Sequence, residues 1–219
     1  MKTILNKRLS TISAFINEND KVIDIGCDHG LLGIDLVLHK NVLKMISSDI
    51  NSGPLQKALE NNKKYHVEDK ILLKQGNGLE TIDNEIDTIV ISGMGGITIT
   101  NILKDIKKYP NIKKIIISPN NDFPLTRKEI TKHQFKLDKE VMVYEKGKYY
   151  LVSCYLKGKD NINYYFGKLN FQDETVRNYY QEIYNTNKKI LSKLSLKNKL
   201  KRVNLMIENI RIKRKRNKG

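Results

Sequence analysis

An α/β fold, with a mostly parallel sheet followed by a C-terminal helical hairpin, is what this sequence predicts. Three observations carry the prediction. Residues 22–37 read as a buried strand, a glycine-bearing turn and an apolar-periodic helix (Leu31, Leu32, Ile34, Leu36, Val37). Strand-length apolar runs then alternate with helical stretches along the first two thirds of the chain. Beyond Gly158 the strand pattern stops, and apolar residues recur at steps of three and four instead.

Taken in order, Leu5, Leu9, Ile12, Phe15 and Ile16 fall at helical spacing and give a lead helix that covers the sheet edge. Strands are expected over 21–25, 44–48, 71–75, 87–92 and 113–118. Helices are expected over 54–64, where Pro54 suits a first turn, over about 95–108, and over 124–133. Lys139–Tyr144, the turn Glu145-Lys146-Gly147-Lys148, and Tyr149–Leu156 read as a β-hairpin. Five βα units closed by an antiparallel hairpin differ from a dinucleotide fold, which runs on to a sixth parallel strand.

In the last part, Val176, Tyr180, Ile183, Asn187, Ile190 and Leu194 form one stripe, and Leu200, Val203, Ile207 and Ile210 another. A break near 194–198 folds them into an antiparallel hairpin. The basic run from Arg211 to Lys218 is expected to fray. The domains read as 1–158, carrying the sheet, and 159–219, helical and basic.

A chain of 219 residues holds one sizeable core and a small appendage. No run approaches the ~20 apolar residues of a membrane span. The N-terminus lacks an apolar core and a small-residue cleavage site, so no signal peptide is expected and the protein reads as cytoplasmic. A monomer is expected. Cys27 and Cys154 sit in apolar strand surroundings and read as small core residues, with no metal spacing around them. The net charge of +16 is uneven: residues 159–219 hold 16 Lys/Arg against 5 Asp/Glu, whereas 1–158 hold 24 against 19. A bias toward lysine codons acts on both parts alike, so the C-terminal concentration points to a polyanion partner.

The candidate site lies at the strand ends. The turn Asp24-Ile25-Gly26-Cys27-Asp28-His29-Gly30 is not the Gly-x-Gly-x-x-Gly of dinucleotide enzymes, and Asp28 stands where a diphosphate would be repelled. S-adenosylmethionine (AdoMet), cationic at its sulfonium and ammonium, suits Asp24 and Asp28. Asp49, with Ile50 behind it, is placed to hydrogen-bond ribose hydroxyls, and Asn77-Gly78 to meet adenine. Gly93-Met94-Gly95-Gly96 lets a ligand approach the backbone, and Pro119-Asn120 offers a rigid amide that can read a base edge. No Ser-His-Asp, paired-carboxylate or metal pattern competes, and no metal is expected.

The ordered set 24–30, Ser-Asp-Ile-Asn-Ser-Gly-Pro (48–54), Gln-Gly-Asn-Gly-Leu-Glu (75–80), Gly-Met-Gly-Gly (93–96) and Ser-Pro-Asn-Asn (118–121) resembles the bacterial tRNA (adenine-22-N1)-methyltransferases. The lead Lys-Arg-Leu helix (7–9) and the helical C-terminus resemble that family too. Asn77 and Asp49 depart from its common Asp and Glu, and both keep an acceptor. The resemblance implies a Rossmann-like class I methyltransferase domain with a coiled-coil-like C-terminal hairpin, AdoMet as cofactor, and tRNA as partner. It also implies methylation of N1 of adenine 22 in the D-arm.

For that chemistry, adenine N1 needs no strong base, because its in-plane lone pair is free at neutral pH. Holding N1 in line with the methyl group supplies roughly 7–11 kcal/mol. An oxygen accepting from the N6 amino group binds more tightly as the ring becomes cationic. Asp28 is the first choice for that oxygen and Asn120, beside Pro119, the second. Asp24, Gly26, Cys27, Asp28, His29, Gly30, Asp49, Ile50, Asn77, Gly78, Gly93, Met94 and Gly95 are expected around the cofactor. Other readings are a methyltransferase for another RNA position or a small molecule, a non-catalytic RNA-binding module, and a nicotinamide oxidoreductase.

Overall fold

Isoleucine and valine fill the central runs of the sequence, and these runs become a sheet covered on both faces. β1 (Lys21–Ile25), β2 (Lys44–Asp49), β3 (Ile71–Gln75), β4 (Thr88–Ser92) and β5 (Lys114–Ser118) pair in parallel in the order β3-β2-β1-β4-β5. Each lies within one residue of its expected bounds. Alternation along the strands divides their side chains between two core layers. Ile23, Ile25, Ile89, Ile91, Ile115 and Ile117 enter one layer, while Val22, Val90 and Ile116 enter the other.

The computed structural model describes residues 4–216. Helix α1 (Lys7–Ala14) precedes β1, and α2 (Leu31–His39), α3 (Ser52–Lys64), α4 (Gly96–Leu103) and α5 (Phe123–Lys132) connect the strands. The helix expected over about 95–108 ends at Leu103 and resumes only as a short 3-10 turn at Ile106–Lys108. The hairpin completes the sheet: β7 (Lys148–Lys157) runs antiparallel to β5, and β6 (Phe135–Glu145) antiparallel to β7. This is the class I methyltransferase strand order.

β6 begins earlier than the expected Lys139. The register steps between Leu137 and Lys139, so Asp138 is an extra residue, and this bulge breaks the alternation by which the strand would be read. Phe135 and Leu137, ahead of the bulge, are both buried.

Two compact units emerge, Met1–Lys168 and Leu169–Gly219. Residues 159–168, expected with the helical piece, instead bond to the sheet domain. Arg127 donates from Nη1 to the carbonyls of Tyr164 and Tyr165 at 2.8 and 2.9 Å, and from Nε to Glu140 Oε1 at 2.8 Å. Lys168 N donates to Glu140 Oε2, and Asp160 accepts from Leu137 N. The Arg127 and Glu140 side chains are fully buried.

In the second unit, α6 (Glu174–Lys193) and α7 (Lys199–Arg216) pack together. α6 buries Val176, Tyr180 and Asn187, as its stripe predicts. α7 does not follow its apolar stripe: Leu200, Val203, Ile207 and Ile210 are exposed, whereas Asn209 and Ile212 are buried. Polar contacts fix this rotation. Asn187 donates to Glu208 Oε2 at 2.8 Å and to Asn209 Oδ1 at 3.2 Å. Arg202 donates to the carbonyls of Leu191 and Leu194, which close the end of α6. Residues 211–216 are helical, and the remainder of the basic run expected to fray, through Lys218, lies outside the described residues.

Candidate active site

Parallel strands deliver their loops to one edge of the sheet, and here the carboxyl ends of β1 to β5 carry all the expected site residues. After β1, Gly26 and Cys27 both donate their N–H to Ser48 O, at 2.8 and 3.0 Å, which ties the turn to β2. Gly26 and Gly30 have φ of +76° and +69°, the left-handed region that glycine enters without cost. A β-carbon on Gly30 would meet Ala58 at 3.0 Å, so α3 packs directly on the turn. Asn61 of α3 also donates to His29 O at 2.9 Å. Asp28 and His29 point outward, exposed, with Asp28 Oδ2 3.6 Å from His29 Nε2. Cys27 is buried, and desolvation pushes its thiol far up.

Asp24 is the unusual group. It is buried, and its Oδ1 has no hydrogen-bond partner. Burial raises its carboxyl to about 7, the Arg8 charge pulls the other way, and the negative charges of Asp49 and Asp28 add to the rise. A carboxylate deprived of water and partner is costly to keep ionised. Such an oxygen calls for a cationic ligand.

After β2, Asp49 Oδ1 accepts from Asn51 N at 3.0 Å, and Asp49 O accepts from Gly76 N at 3.1 Å. The turn after β3 is thus tied to the end of β2. Ile50 is exposed there, as is Asn77, while Gly78 is buried. After β4 and β5 the loops interlock. Gly93 N donates to Ser118 O at 3.0 Å, and Gly96 N donates to Asn121 Oδ1 at 2.9 Å. Asn120 donates from Nδ2 to Gly93 O at 2.7 Å and from its backbone N–H to Met94 O at 2.8 Å. Pro119 is buried beneath it, and Gly95 faces Asn121.

One residue at this edge was not among the expected site residues, although it lies in the Lys-Arg-Leu segment (7–9) of the lead helix. Arg8, on α1, reaches to Gly93 and lies over the Tyr150 ring, 5.0 Å from its centroid. The available signal was its position four residues before buried Ile12, on the same helix face. Among the described residues no group of three His, Cys, Asp or Glu side chains is arranged to hold a metal ion, and no helix is long and apolar enough to cross a membrane.

The strand order and the strand-end crevice define a class I methyltransferase, and a protein-family model described as a methyltransferase domain matches residues 5–153. A tRNA (adenine(22)-N(1))-methyltransferase of Bacillus subtilis (strain 168) is 35% identical over 150 residues, which is 68% of this chain. The match spans 63% of that relative's length. Among solved structures, the B. subtilis M1A22 tRNA methyltransferase TrmK superposes with a TM-score of 0.86 at 27% identity, over 97% of this chain and 99% of the other. M. capricolum TrmK, in complex with S-adenosyl-homocysteine, gives 0.87 at 28% identity, over 98% of each chain. The chain belongs to the methyltransferase-domain family, and its similarity to the solved B. subtilis M1A22 tRNA methyltransferase runs over nearly its full length.

Proposed function

We propose that this protein transfers a methyl group from AdoMet to N1 of adenine 22 in tRNA. The observation that carries the reading is the partnerless buried carboxylate of Asp24, set between the interlocked loops of β4 and the ribose-binding position of Asp49. That donor and acceptor set fits AdoMet: an anion for its ammonium at Asp24, an acceptor for its diol at Asp49, and Asn77 for its adenine. Bound there, AdoMet supplies an electrophilic methyl group on a sulfonium.

The chain's own residues then have three tasks. Asp24, near the carboxyl end of β1, and Asp49, at the carboxyl end of β2, orient the cofactor. Asn120 donates from Nδ2 to Gly93 O, which fixes the amide plane, and its Oδ1 is the acceptor for an adenine N6 amino group. Asp28, exposed at the rim, adds negative charge as the ring becomes cationic. Adenine N1 faces its partner in a duplex, so the base must be unpaired and turned into the crevice. The full-length similarity to TrmK structures supports tRNA as the substrate over a small molecule.

The test is incubation with methyl-labelled AdoMet and unmodified tRNA, followed by digestion to nucleosides. Label is expected in 1-methyladenosine; label in N6-methyladenosine or in a uridine overturns the proposal. The Asp49→Ala control should bind AdoMet more weakly by roughly 1.5–3 kcal/mol, the worth of charge-assisted hydrogen bonds.

A further inference from the structure

The loops that build the crevice carry no lysine or arginine of their own. Residues 26–30, 50–51, 76–78, 93–95 and 119–122 contain neither, while Asp28, Asp49 and Asp122 stand among them. These loops welcome a cationic cofactor and repel the phosphates of an incoming RNA. The surface that receives the RNA strand beside the adenine must rise from another part of this edge.

The β6–β7 hairpin is that part. β7 makes its last pair with β5 at Ile117↔Ser153, and its ladder with β6 runs on through Val141↔Val152, Met142↔Leu151, Val143↔Tyr150, Tyr144↔Tyr149 and Glu145↔Lys148. Because β7 is antiparallel to β5, this stretch extends past the carboxyl end of the parallel strands. At roughly 3.4 Å per residue it overhangs the last β5 pair by about 17 Å.

The two faces of the overhang differ. On one, Val143 is buried and Tyr150 packs with it in the core layer that includes Ile12 of α1. Lys7 N of α1 donates to Glu145 Oε1 at 2.8 Å and so engages the acidic side chain of the tip. Tyr144 and Tyr149 stand on the other face, the one that alternation shares with Tyr155 and the core layer of Ile99 and Ile130 from α4 and α5. Their ring centroids lie 4.7 Å apart at 47°. Tyr149, half-buried, braces Tyr144, which stays 48% exposed. Lys146 and Lys148 follow in the turn, both exposed. A braced aromatic face beside two cations is the chemistry that holds an unpaired nucleotide: a π face stacks on any base, and lysines track the backbone.

We infer that Tyr144 stacks on a base of the tRNA D-arm that loses its own stacking when the adenine turns out, while Lys146 and Lys148 meet the adjoining phosphates. The inference rests on the tRNA reading of the site, and the test separates the two. A cross-strand tyrosine pair also stabilises a hairpin, but that role moves the melting temperature without moving RNA affinity.

Binding of unmodified tRNA by the full chain is measured across a range of salt. The proteins compared are the unaltered chain, Tyr144→Phe, Tyr144→Leu, and a double variant with Lys146→Gln and Lys148→Gln. Tyr144→Leu keeps apolar volume and loses the π face, so affinity should fall roughly 5- to 150-fold with the salt slope unchanged. Tyr144→Phe should bind as the unaltered protein does. The lysine variant should lower the slope by about 0.7 for each single-stranded phosphate no longer neutralised. AdoMet affinity, measured by calorimetry, should be the same in all four and shows that each is folded; if Tyr144→Leu does not fold, the slope of the lysine variant decides. Normal tRNA binding by Tyr144→Leu, or an equal loss in Tyr144→Phe, overturns the stacking role, and an unchanged slope in the lysine variant overturns the phosphate contacts. An unaltered protein that binds AdoMet but neither binds nor methylates tRNA overturns the tRNA reading, and this inference with it.

Discussion

Asn120 is bonded twice to the turn that follows β4: its side-chain Nδ2 donates to Gly93 O at 2.7 Å and its backbone N–H to Met94 O at 2.8 Å. The loops after β4 and β5 are therefore one assembly, and the remaining oxygen of Asn120 is aimed by bonds its own nitrogen makes. Asn120→Ala should lower kcat for tRNA methylation by roughly 100-fold, in the range of a lost transition-state hydrogen-bond partner. AdoMet affinity measured by calorimetry should change little. A large loss of AdoMet binding with kcat preserved would mean that the bond to Gly93 serves the cofactor instead.

Asp28 sits at φ +50° with a side chain 73% exposed. Asn tolerates that backbone as well as Asp does, so Asp28→Asn removes charge with little strain. Its kcat should fall by roughly tenfold at unchanged KM for tRNA, since the interaction grows with developing positive charge. If AdoMet affinity collapses instead, Asp28 is a cofactor ligand and Asn120 alone meets the base.

Asp24 predicts a pH dependence. Its carboxyl rises from 3.8 to about 7 on folding, through burial, so the folded chain holds a proton that the unfolded chain has released between those values. The Asp24 contribution to stability therefore falls as pH rises through that window and levels off above it. A bound ammonium favours the carboxylate, so AdoMet binding should release a proton near neutral pH. Affinity should rise as pH is brought up through about 7, the folded-state value. Calorimetry in buffers of different ionisation enthalpy measures this proton, and Asp24→Asn should abolish it while weakening binding. A flat profile in the unaltered protein would remove Asp24 from the ammonium site.

The second unit carries 14 Lys/Arg against 4 Asp/Glu. Lys199, Lys201, Lys213 and Arg214 are exposed, whereas Lys215 lies over the Phe171 ring and Arg216 donates to Gln181. Replacing the first four with Gln should weaken tRNA binding and reduce its salt slope by about one for each phosphate that is no longer neutralised. AdoMet binding should stay the same. An unchanged slope would show that these residues do not meet the tRNA backbone.

The central strands were legible because burial on both faces makes each a short, mostly apolar run between turn residues, as in Ile89–Ile91 and Ile115–Ile117. The site was legible for a related reason. A parallel sheet sends every βα loop to one edge, so locating Asp24, Asp49, Asn77, Gly93 and Asn120 at strand ends was enough to bring them together. What stayed hidden depends on residues distant in sequence. Asp138 forms a bulge only because β7 sets the register. The Arg127 bonds that hold 164 and 165 to the sheet domain cross more than thirty residues. Helix α7 exposes its apolar stripe because Arg202 and Asn209 find partners on α6, and no periodicity reports that. Arg8, within the Lys-Arg-Leu segment of the lead helix, escaped because its approach to Gly93 is a contact between residues distant in sequence.

Reverse transcription reads the position of methylation and reports a block on the pairing edge of the base. A tRNA transcript with adenine at position 22, incubated with the protein and AdoMet, should acquire a stop one nucleotide before that adenine, because a methyl group on N1 blocks pairing. The same transcript with guanine at position 22 should read through. Stops at another position, or equal read-through of both transcripts with label incorporated elsewhere, would contradict the account.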